Sequence, residues 1–290
     1  KPDLTFVESA TKSIIPYIEP GNLIILESTS PVGTTEKIVE WILDERPDLS
    51  VDENNPKRIL VSHCPERVLP GKILTELIEN DRIVGGINKE STVKTAKFYE
   101  SFVKGEVLQT NARTAELSKL TENSFRDVNI AFANEMSMIC DDLNIDVWEL
   151  IGLANRHPRV NILQPGPGVG GHCIAVDPWF IVDAAPEKSK LIRTARNVND
   201  SKSHYIVEKV KEATQNIVSP TVACLGLSFK ANIDDLRESP AVEIVKKLAL
   251  NNSRTIFVTE PHIVELPKSL SDFNIELINT EDAINKADVV

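Results

Sequence analysis

Residues 23–61 decide the fold, because the apolar run Leu23-Ile24-Ile25-Leu26 is followed by a helical pattern over residues 34–45 and then by Ile59-Leu60-Val61. Short continuous apolar runs are typical of strands that are buried in a parallel sheet. The alternation extends to a helix at residues 5–18, a strand at Ile83-Val84 and a helix at residues 91–102. Strands that alternate with helices predict a doubly wound α/β domain with a parallel sheet.

The middle of the chain has a different pattern. Residues 114–143 contain neither glycine nor proline and carry apolar residues at helical spacing, which predicts one helix of about eight turns. Further helix is predicted at residues 147–154 and, after a Gly/Pro-rich loop at residues 164–171, at residues 178–210. This section is therefore expected to be all-α.

The last section returns to alternating strands and helices. Strands are predicted at residues 221–225 and 255–258, and Ser239-Pro240 opens a helix between them in the N-cap and N1 positions that these residues prefer. The chain starts at Lys1 with a helical pattern and ends in a predicted strand at residues 287–290. We therefore expect a fragment of a longer protein.

Composition excludes several classes of function. A net charge of −11 argues against nonspecific binding of nucleic acid, which relies on a basic surface. No apolar run approaches the roughly 20 residues of a membrane span, and no signal peptide is visible. The four cysteines show no CxxC pair, so we expect neither a disulfide framework nor a metal site, and we expect a cytoplasmic location.

The segment with the most specific chemistry is the loop Gly166-Pro167-Gly168-Val169-Gly170-Gly171-His172-Cys173, which runs on to Asp177-Pro178. Its glycines permit close approach of a ligand. Asp177-Pro178 has the pattern of an N-cap and N1 pair, and the positive end of a helix favours the nucleophilic thiolate of a nearby cysteine. A structural loop around a buried cysteine is the alternative, and the glycine context favours the nucleophile.

A second candidate set lies on the long helix. Asn123 lies four residues after Lys119, and Arg126 lies seven residues after it. All three therefore share one face of the helix, with Glu116 at the edge of that face. A solvated polar face explains the spacing equally well. A functional role requires that this face line a cleft.

Three loops complete the candidates. Two of them follow a predicted strand, at the edge where open α/β sheets bind ligands. They are His63-Cys64-Pro65-Glu66-Arg67-Val68-Leu69-Pro70-Gly71 and Glu27-Ser28-Thr29-Ser30-Pro31. Gly226-Leu227-Ser228-Phe229-Lys230 leads towards a helix N-terminus, which is a ready site for an anion. Ordinary turn chemistry remains the alternative for each of the three loops, and the last does not have the GxGxxG spacing.

Together these segments resemble the UDP-glucose/GDP-mannose dehydrogenase family over essentially all 290 residues. The resemblance implies two truncated Rossmann-like domains with doubly wound parallel sheets, joined by a central all-α region. Residues 1–110 would be the C-terminal part of the NAD-binding domain, and residues 111–212 the central dimerisation and catalytic region. Residues 213–290 would be the N-terminal part of the UDP-sugar-binding domain. The glycine fingerprint for NAD would lie before Lys1.

The resemblance also implies the roles of individual residues. The catalytic set would be Cys173 as nucleophile, Lys119, Asn123 and Asp177, with Glu66 and Thr29 handling water. Thr29 and Arg237 would contact NAD. The residues that would contact the substrate are Arg67, Val68, Lys119, Asn123, Arg126, His157, Arg159, Gly170, Phe229 and Lys230.

Departures within the family indicate a substrate. Val176 and Pro70 stand where members that act on UDP-glucose carry a lysine and a second glutamate. Four runs instead resemble members that act on UDP-N-acetyl-D-mannosamine: Cys-Pro-Glu-Arg-Val-Leu-Pro-Gly, Glu-Asn-Ser-Phe-Arg-Asp-Val-Asn, Asn-Arg-His-Pro-Arg-Val and Gly-Gly-His-Cys-Ile-Ala-Val-Asp-Pro-Trp. The resemblance therefore implies that substrate, and a homodimer in which His157 and Arg159 reach the neighbouring subunit's site. The product would supply a bacterial surface polysaccharide.

The implied reaction is a four-electron oxidation of a sugar CH2OH to a carboxylate with two NAD, through a thiohemiacetal and a thioester on Cys173. Three alternatives stay open. The substrate could be another nucleotide sugar, such as UDP-GlcNAc, UDP-GalNAc, UDP-glucose or GDP-mannose. The protein could instead be a single-step hydroxyacid dehydrogenase, which needs no cysteine, or a non-catalytic nucleotide-sugar sensor.

Overall fold

A computed structural model describes residues 2–68, 73–250 and 254–290. The chain forms two compact units. Unit 1 consists of Lys1–Asn123 and Trp179–Ser189, and unit 2 of Ser124–Pro178 and Lys190–Val290. Among the described residues, no helix combines the length and the apolar character needed to cross a bilayer.

Unit 1 contains a four-stranded sheet in the order β1-β2-β3-β4. Its elements are α1 (Thr5–Ile14), β1 (Leu23–Leu26), α2 (Thr34–Glu45), β2 (Leu60–His63), α3 (Ile73–Glu79), β3 (Arg82–Gly86), α4 (Lys89–Glu100) and β4 (Val107–Asn111). Strands β1 and β2 pair in parallel, as do β3 and β4. The predicted α/β class with parallel strand pairs is confirmed.

The sheet departs from the expectation at one place, because β2 and β3 are antiparallel. The segment that follows β2 stays at the carboxyl end of β1, where the backbone N–H of Glu66 donates to the carbonyl of Glu27 at 3.2 Å. Strand β3 therefore enters the sheet from that end. Its first residue, Arg82, consequently lies beside Glu66.

Several boundaries differ from the sequence prediction for local reasons. Helix α1 ends at Ile14, and a 3-10 turn at Ile15–Tyr17 replaces its predicted last turn, because Pro16 lacks the N–H that would continue the helical hydrogen bonds. Helix α4 begins two residues earlier than predicted, where the side chain of Asn88 accepts a hydrogen bond from the N–H of Ser91. Strand β4 was not predicted, since its residues are half-buried or exposed and carry no apolar run.

The core of unit 1 packs the first two helices against the sheet. Ile42 of α2, Ile59 just before β2 and Val61 within β2 are fully buried there. Burial of side chains of this size stabilises a fold by roughly 1.5–3 kcal/mol each. This packing fixes the carboxyl ends of β1 and β2, from which two of the candidate segments emerge.

Unit 2 contains most of the long helix and a three-stranded parallel sheet in the order β5-β6-β7. Its elements are the later part of α5 (Ala112–Asp142), α6 (Val147–Ala154), the first two residues of α7 (Asp177–Ala184), α8 (Lys190–Thr214), β5 (Thr221–Leu225), α9 (Pro240–Ala249), β6 (Thr255–Thr259), β7 (Ile275–Leu277) and α10 (Thr280–Lys286). The boundary between the units falls inside α5 and inside α7. The predicted long helix is confirmed in α5.

The predicted helix at residues 178–210 is interrupted. Residues 185–189 separate α7 from α8, and this stretch contains Pro186. At the end of the chain, Val289 forms a single parallel bridge with Val222 of β5. The core of this part of unit 2 packs α9 on the sheet through fully buried side chains that include Leu248 and Ile256.

Candidate active site

Cys173 is exposed, whereas Cys64 and Cys140 are buried and Cys224 is half-buried. Burial raises the pKa of the Cys64 and Cys224 thiols to about 11, which keeps both protonated and unreactive at neutral pH. Of the four cysteines, Cys173 is therefore the one that a ligand can reach.

Cys173 lies in a turn that leads directly into α7. Its carbonyl oxygen accepts hydrogen bonds from the N–H groups of Val176 at 3.0 Å and of Asp177 at 2.9 Å. Asp177 is the first residue of α7, one position later in the capping pattern than the predicted N-cap, and its side chain is buried. The thiol therefore precedes the end of a helix at which the dipole favours negative charge.

The glycine-rich loop is attached at its start to two long helices. The N–H of Gly166 donates to the side-chain oxygen of Asn134 in α5 at 2.8 Å, and the amide of Asn134 donates to the side-chain oxygen of Asn199 in α8 at 2.9 Å. Both asparagine side chains are buried. The loop thus begins at a fixed point of unit 2.

Within the loop, the glycines allow contact with protein rather than leaving open space. A Cβ added to Gly170 would lie 2.5 Å from the carbonyl oxygen of Glu238, and one added to Gly171, whose φ is +84°, would lie 2.9 Å from the Phe229 ring. Gly170 was predicted to contact substrate, and Phe229 was predicted to contact it as well. The structure brings these two residues together within unit 2.

Two backbone amides of the loop after β5 already bind a carboxylate of the protein itself. The N–H groups of Leu227 and Ser228 both donate to one carboxylate oxygen of Glu260 at 2.9 Å. Ser239 is the N-cap of α9 as predicted, but its hydroxyl donates to the carbonyl of Leu227 instead of capping the helix. These two amides are therefore not available to a ligand, whereas the side chain of Lys230 is exposed.

Arg237, predicted to contact NAD, is engaged within its own loop. Its guanidinium donates to both carboxylate oxygens of Asp235, at 2.8 and 2.7 Å. These hydrogen bonds lower the pKa of Asp235 to about 2. Arg237 is exposed and Asp235 is half-buried. Three other predicted substrate contacts of unit 2, Arg126, His157 and Arg159, are exposed.

In unit 1, Glu66 is held from one side. Its Oε1 atom accepts hydrogen bonds from the backbone N–H groups of Arg67 at 2.6 Å and Val68 at 2.9 Å, and from the guanidinium of Arg82 at 3.3 Å. The side chain of Arg67 forms an ion pair with Glu122 of α5 at 2.9 Å. Leu69 and Pro70, which belong to the same predicted segment, lie outside the described residues.

Thr29 lies next to this segment, at the edge where β1 and β2 end. Residues 27–31 leave β1 while residues 64–68 leave β2, and the backbones of Glu27 and Glu66 are hydrogen-bonded. Thr29 is half-buried. The expectation that the two segments meet at one edge of the sheet is confirmed.

The polar face of α5 is not simply solvated. Asn123 is buried, Lys119 is half-buried and Arg126 is exposed. Glu116, at the edge of this face, has a structural role: its carboxylate accepts hydrogen bonds from the N–H groups of Gly33 at 2.6 Å and Thr35 at 2.7 Å. It thereby caps the N-terminus of α2 from a distant part of the chain.

The sequence analysis did not predict Arg82, which contacts Glu66, or Asn134, which binds the start of the cysteine loop. Arg82 directly precedes the apolar Ile83-Val84, and Asn134 directly follows Ala131-Phe132-Ala133, so each is a polar residue at the end of an apolar run. That signal could have marked them as buried polar side chains with partners. Across residues 2–68, 73–250 and 254–290, no group of three or more His, Cys, Asp or Glu side chains is arranged to hold a metal ion.

Three family models match the chain in succession. They describe the NAD binding domain (residues 1–103), the central domain (residues 113–201) and the UDP binding domain (residues 223–290) of the UDP-glucose/GDP-mannose dehydrogenase family.

Individual relatives agree with these matches. The chain is 59% identical to an NDP-N-acetyl-D-galactosaminuronic acid dehydrogenase of Ralstonia solanacearum and 57% identical to a UDP-N-acetyl-D-mannosamine dehydrogenase of Campylobacter jejuni. All of the chain aligns, and it spans 69% and 72% of these two proteins. A solved structure of the UDP-D-ManNAc dehydrogenase of Pyrococcus horikoshii superposes with a TM-score of 0.85 at 39% identity, covering 94% of this chain and 65% of that one.

Proposed function

The chain belongs to the UDP-glucose/GDP-mannose dehydrogenase family of NAD-dependent oxidoreductases, and from this premise we propose that it oxidises C6 of UDP-N-acetyl-D-mannosamine from an alcohol to a carboxylate. The observation that carries the proposal is the exposed Cys173, placed before α7 in a loop that packs against Phe229. A thiol in this position allows a four-electron oxidation to be divided into two steps.

NAD, when bound, supplies the hydride acceptor. The chain offers uncharged hydroxyls at the carboxyl end of β1, including the half-buried Thr29, which fits a ribose or a carboxamide. A phosphate is not expected at the start of α2, because the carboxylate of Glu116 already accepts hydrogen bonds from the N–H groups of Gly33 and Thr35 there. We assign Thr29 and Arg237 to contacts with NAD.

The covalent steps belong to Cys173. The C6 alcohol first loses its hydroxyl proton and one hydride, which gives an aldehyde. The thiolate sulfur of Cys173 adds to the aldehyde carbon, a C–S bond forms, and the aldehyde oxygen takes up a proton as the hydroxyl of a thiohemiacetal. After a second hydride has left C6, the adduct is a thioester. Water then adds to the thioester carbonyl, the C–S bond breaks, and the carboxylate and the Cys173 thiol are released.

Other side chains manage the charge on the C6 oxygen. Lys119 polarises this oxygen as an acid–base group or as a cation beside an oxyanion. Asn123 donates a hydrogen bond to the same oxygen, and its burial supports a fixed orientation. Asp177 orients Lys119 or the attacking water, while Glu66 and Thr29 handle that water.

We assign the contacts with the nucleotide sugar to individual residues. Lys230 contacts the diphosphate, which agrees with its exposure. Phe229 and Gly170 contact the substrate beside the cysteine loop. Arg67, Val68, Arg126, His157 and Arg159 supply the other contacts.

The stoichiometry of NADH tests the reaction. The complete protein should form two NADH for each UDP-N-acetylmannosamine consumed, and Cys173→Ala should abolish net turnover. Cys224→Ala is the matched control, since that half-buried thiol has no role in the scheme. One NADH per sugar, or a fully active Cys173→Ala variant, would refute the thioester route and favour a single-step dehydrogenase.

A second substrate is supported by a specific observation. The relative that is 59% identical is named for N-acetylgalactosaminuronic acid, and the relative named for N-acetylmannosamine is 57% identical. The two sequence identities are too similar to decide which of the two sugars is the substrate. A panel of UDP-N-acetylmannosamine, UDP-GalNAc and UDP-GlcNAc, compared by kcat/KM from NADH absorbance, decides between them, and a preference for UDP-GalNAc would overturn our assignment.

The functional regions follow the resemblance. We assign residues 1–110 to the NAD-binding domain, residues 111–212 to the central helical region and residues 213–290 to the UDP-sugar-binding domain. We place the protein in the cytoplasm, where a nucleophilic thiol such as that of Cys173 stays reduced.

The long helix supports a homodimer. Phe125, Phe132 and Ile139 are exposed by 68%, 49% and 43% and recur every seven residues on α5, which is the spacing of a helix–helix seam. A second copy of the chain would cover this face. Light scattering should show that Phe132→Glu is monomeric, whereas Val264→Glu, at a similarly apolar exposed position outside α5, stays dimeric.

Sharing of the site between subunits has its own test. If His157 and Arg159 complete the partner's site, then mixing inactive Cys173→Ala protein with inactive His157→Ala protein should restore up to about a quarter of the activity, because half of the dimers are mixed and one of their two sites is intact. No recovery in confirmed mixed dimers would place these side chains in their own subunit's site.

A further inference from the structure

We infer that Arg82 is a positioning residue that orients Glu66 for hydrolysis of the Cys173 thioester. The inference rests on the proposed function and adds to it a residue that touches neither substrate nor cofactor. It starts from the burial of Arg82, whose side chain is 1% exposed at the first position of β3. A buried guanidinium remains charged and therefore needs a partner.

The guanidinium of Arg82 is fixed by several contacts in unit 1. One nitrogen lies 3.3 Å from Oε1 and 3.5 Å from Oε2 of Glu66, and the other terminal nitrogen donates to the carbonyl of Leu77 at 3.1 Å. The group also lies 5.7 Å from the centre of the Tyr99 ring. The hydroxyl of the buried Tyr99 in turn donates to Glu27 at 2.5 Å. Arg82 thus has a defined position beneath the edge where β1 and β2 end.

These contacts make the two oxygens of Glu66 unequal. Oε1 accepts hydrogen bonds from the N–H groups of Arg67 and Val68 and from the guanidinium of Arg82. Among the described residues, Oε2 is approached only by Arg82, at the longer distance. Since the Glu66 side chain is 37% exposed, Oε2 is the oxygen that can accept a hydrogen bond from water.

Stability alone does not explain the arginine. Its Nε is buried and has no hydrogen-bond partner among the described residues, and its contacts with Glu66 are long for an ion pair that is meant to stabilise the fold. Burying a charge with incomplete hydrogen bonding is costly. An arginine at the start of an apolar strand is therefore better explained by what it does to the exposed carboxylate above it.

The consequence for the reaction concerns the hydrolytic step. Glu66, held through Oε1, accepts a proton from water at Oε2 while the water oxygen adds to the thioester carbonyl. The C–S bond then breaks, and the proton returns to the leaving sulfur of Cys173. Loss of Arg82 would let the carboxylate rotate, so this step would slow while formation of the thioester would not.

The test separates acylation from hydrolysis in the complete enzyme. With Arg82→Gln, we expect a normal first burst of NADH, steady-state turnover lowered by roughly 100-fold, and a sugar acyl adduct on Cys173 that intact-mass spectrometry detects after quenching. Arg82→Lys, which retains a cation, should recover part of the turnover. Arg58→Gln is the matched control, because that arginine is paired with Glu90 at 2.6 Å, and it should behave as the wild type.

A double-mutant comparison shows whether Arg82 acts through Glu66. Adding Arg82→Gln to Glu66→Gln should slow hydrolysis no further, since the group that Arg82 positions is already lost. If Arg82→Gln does not fold, Arg82→Lys carries the test. Equal slowing of burst and steady state, absence of the adduct, or additive effects in the double variant would overturn the inference. Failure of the proposed function is distinguishable, because the wild type itself would then form only one NADH per sugar.

Discussion

The side-chain oxygen of Asn134 accepts a hydrogen bond from the backbone N–H of Gly166 at 2.8 Å, where the cysteine loop begins. The asparagine is one member of a buried series in unit 2. Asn134 donates to Asn199, and Asn199 donates to Asp127 at 2.8 Å, where Arg196 also donates at 2.6 Å. The loop that carries Cys173 therefore starts from a polar network that joins α5 to α8.

Asn134→Ala should destabilise unit 2 by about 2–3 kcal/mol, because the N–H of Gly166 loses its acceptor and the side-chain oxygen of Asn199 loses its donor. Urea denaturation measures the loss. Asn129→Ala is the control: this residue is on the same helix, but its amide donates to the carbonyl of Phe125 near the surface. Equal losses for the two variants would show that the network contributes nothing.

Gly170→Ala should disturb the cysteine loop, because the added Cβ would lie 2.5 Å from the carbonyl oxygen of Glu238. Overpacking against backbone costs roughly 1–3 kcal/mol, and we expect turnover to fall with stability. At Gly166 an added Cβ meets no atom within 4 Å, so Gly166→Ala should keep both stability and turnover. Melting temperatures and NADH rates of the two variants check this difference.

His63 should make the protein less stable in mild acid. Burial lowers the pKa of His63 to about 4, whereas an unfolded histidine titrates near 6.5. The unfolded state therefore binds a proton first as the pH falls, and stability declines from pH 6.5 down to about 4. Between pH 7 and 5, His63 should account for a loss of about 2 kcal/mol.

The variant His63→Leu tests this assignment. Its stability should fall by about 2 kcal/mol less than that of the wild type between pH 7 and 5, as measured by urea denaturation. Above pH 7 the two proteins should respond to pH in parallel. The same decline in both proteins between pH 7 and 5 would assign the effect to other groups.

Glu116→Ala should weaken the start of α2. The N–H groups of Gly33 and Thr35, together with the hydroxyl of Thr35, would lose their common acceptor, at an expected cost of about 2–4 kcal/mol. Amide hydrogen exchange at Thr35 should accelerate. Glu135→Ala, at an exposed position of α5, serves as the control and should leave this exchange rate unchanged.

Sequence patterns predicted the elements whose signals are local. The apolar run at β1, the glycine-free stretch of α5 and the Ser239-Pro240 start of α9 each depend on neighbouring residues, and each is confirmed. The family was predicted from short runs such as those around Glu66 and Cys173. These features can be predicted from the sequence because backbone preferences and motif spacing depend on residues that are only a few positions apart.

The tertiary structure decided three features. They are the antiparallel pairing of β3 with β2, the capping of α2 by Glu116 and the contact of Arg82 with Glu66. Glu116 and Gly33 are 83 residues apart, and Asn134 and Asn199 are 65 apart. The sequence places polar residues such as Arg82 and Asn134 at the ends of apolar runs, but it does not identify their partners. Partner choice depends on which backbone N–H groups and charges the packed elements bring within hydrogen-bond distance, and that is fixed only when the core has formed.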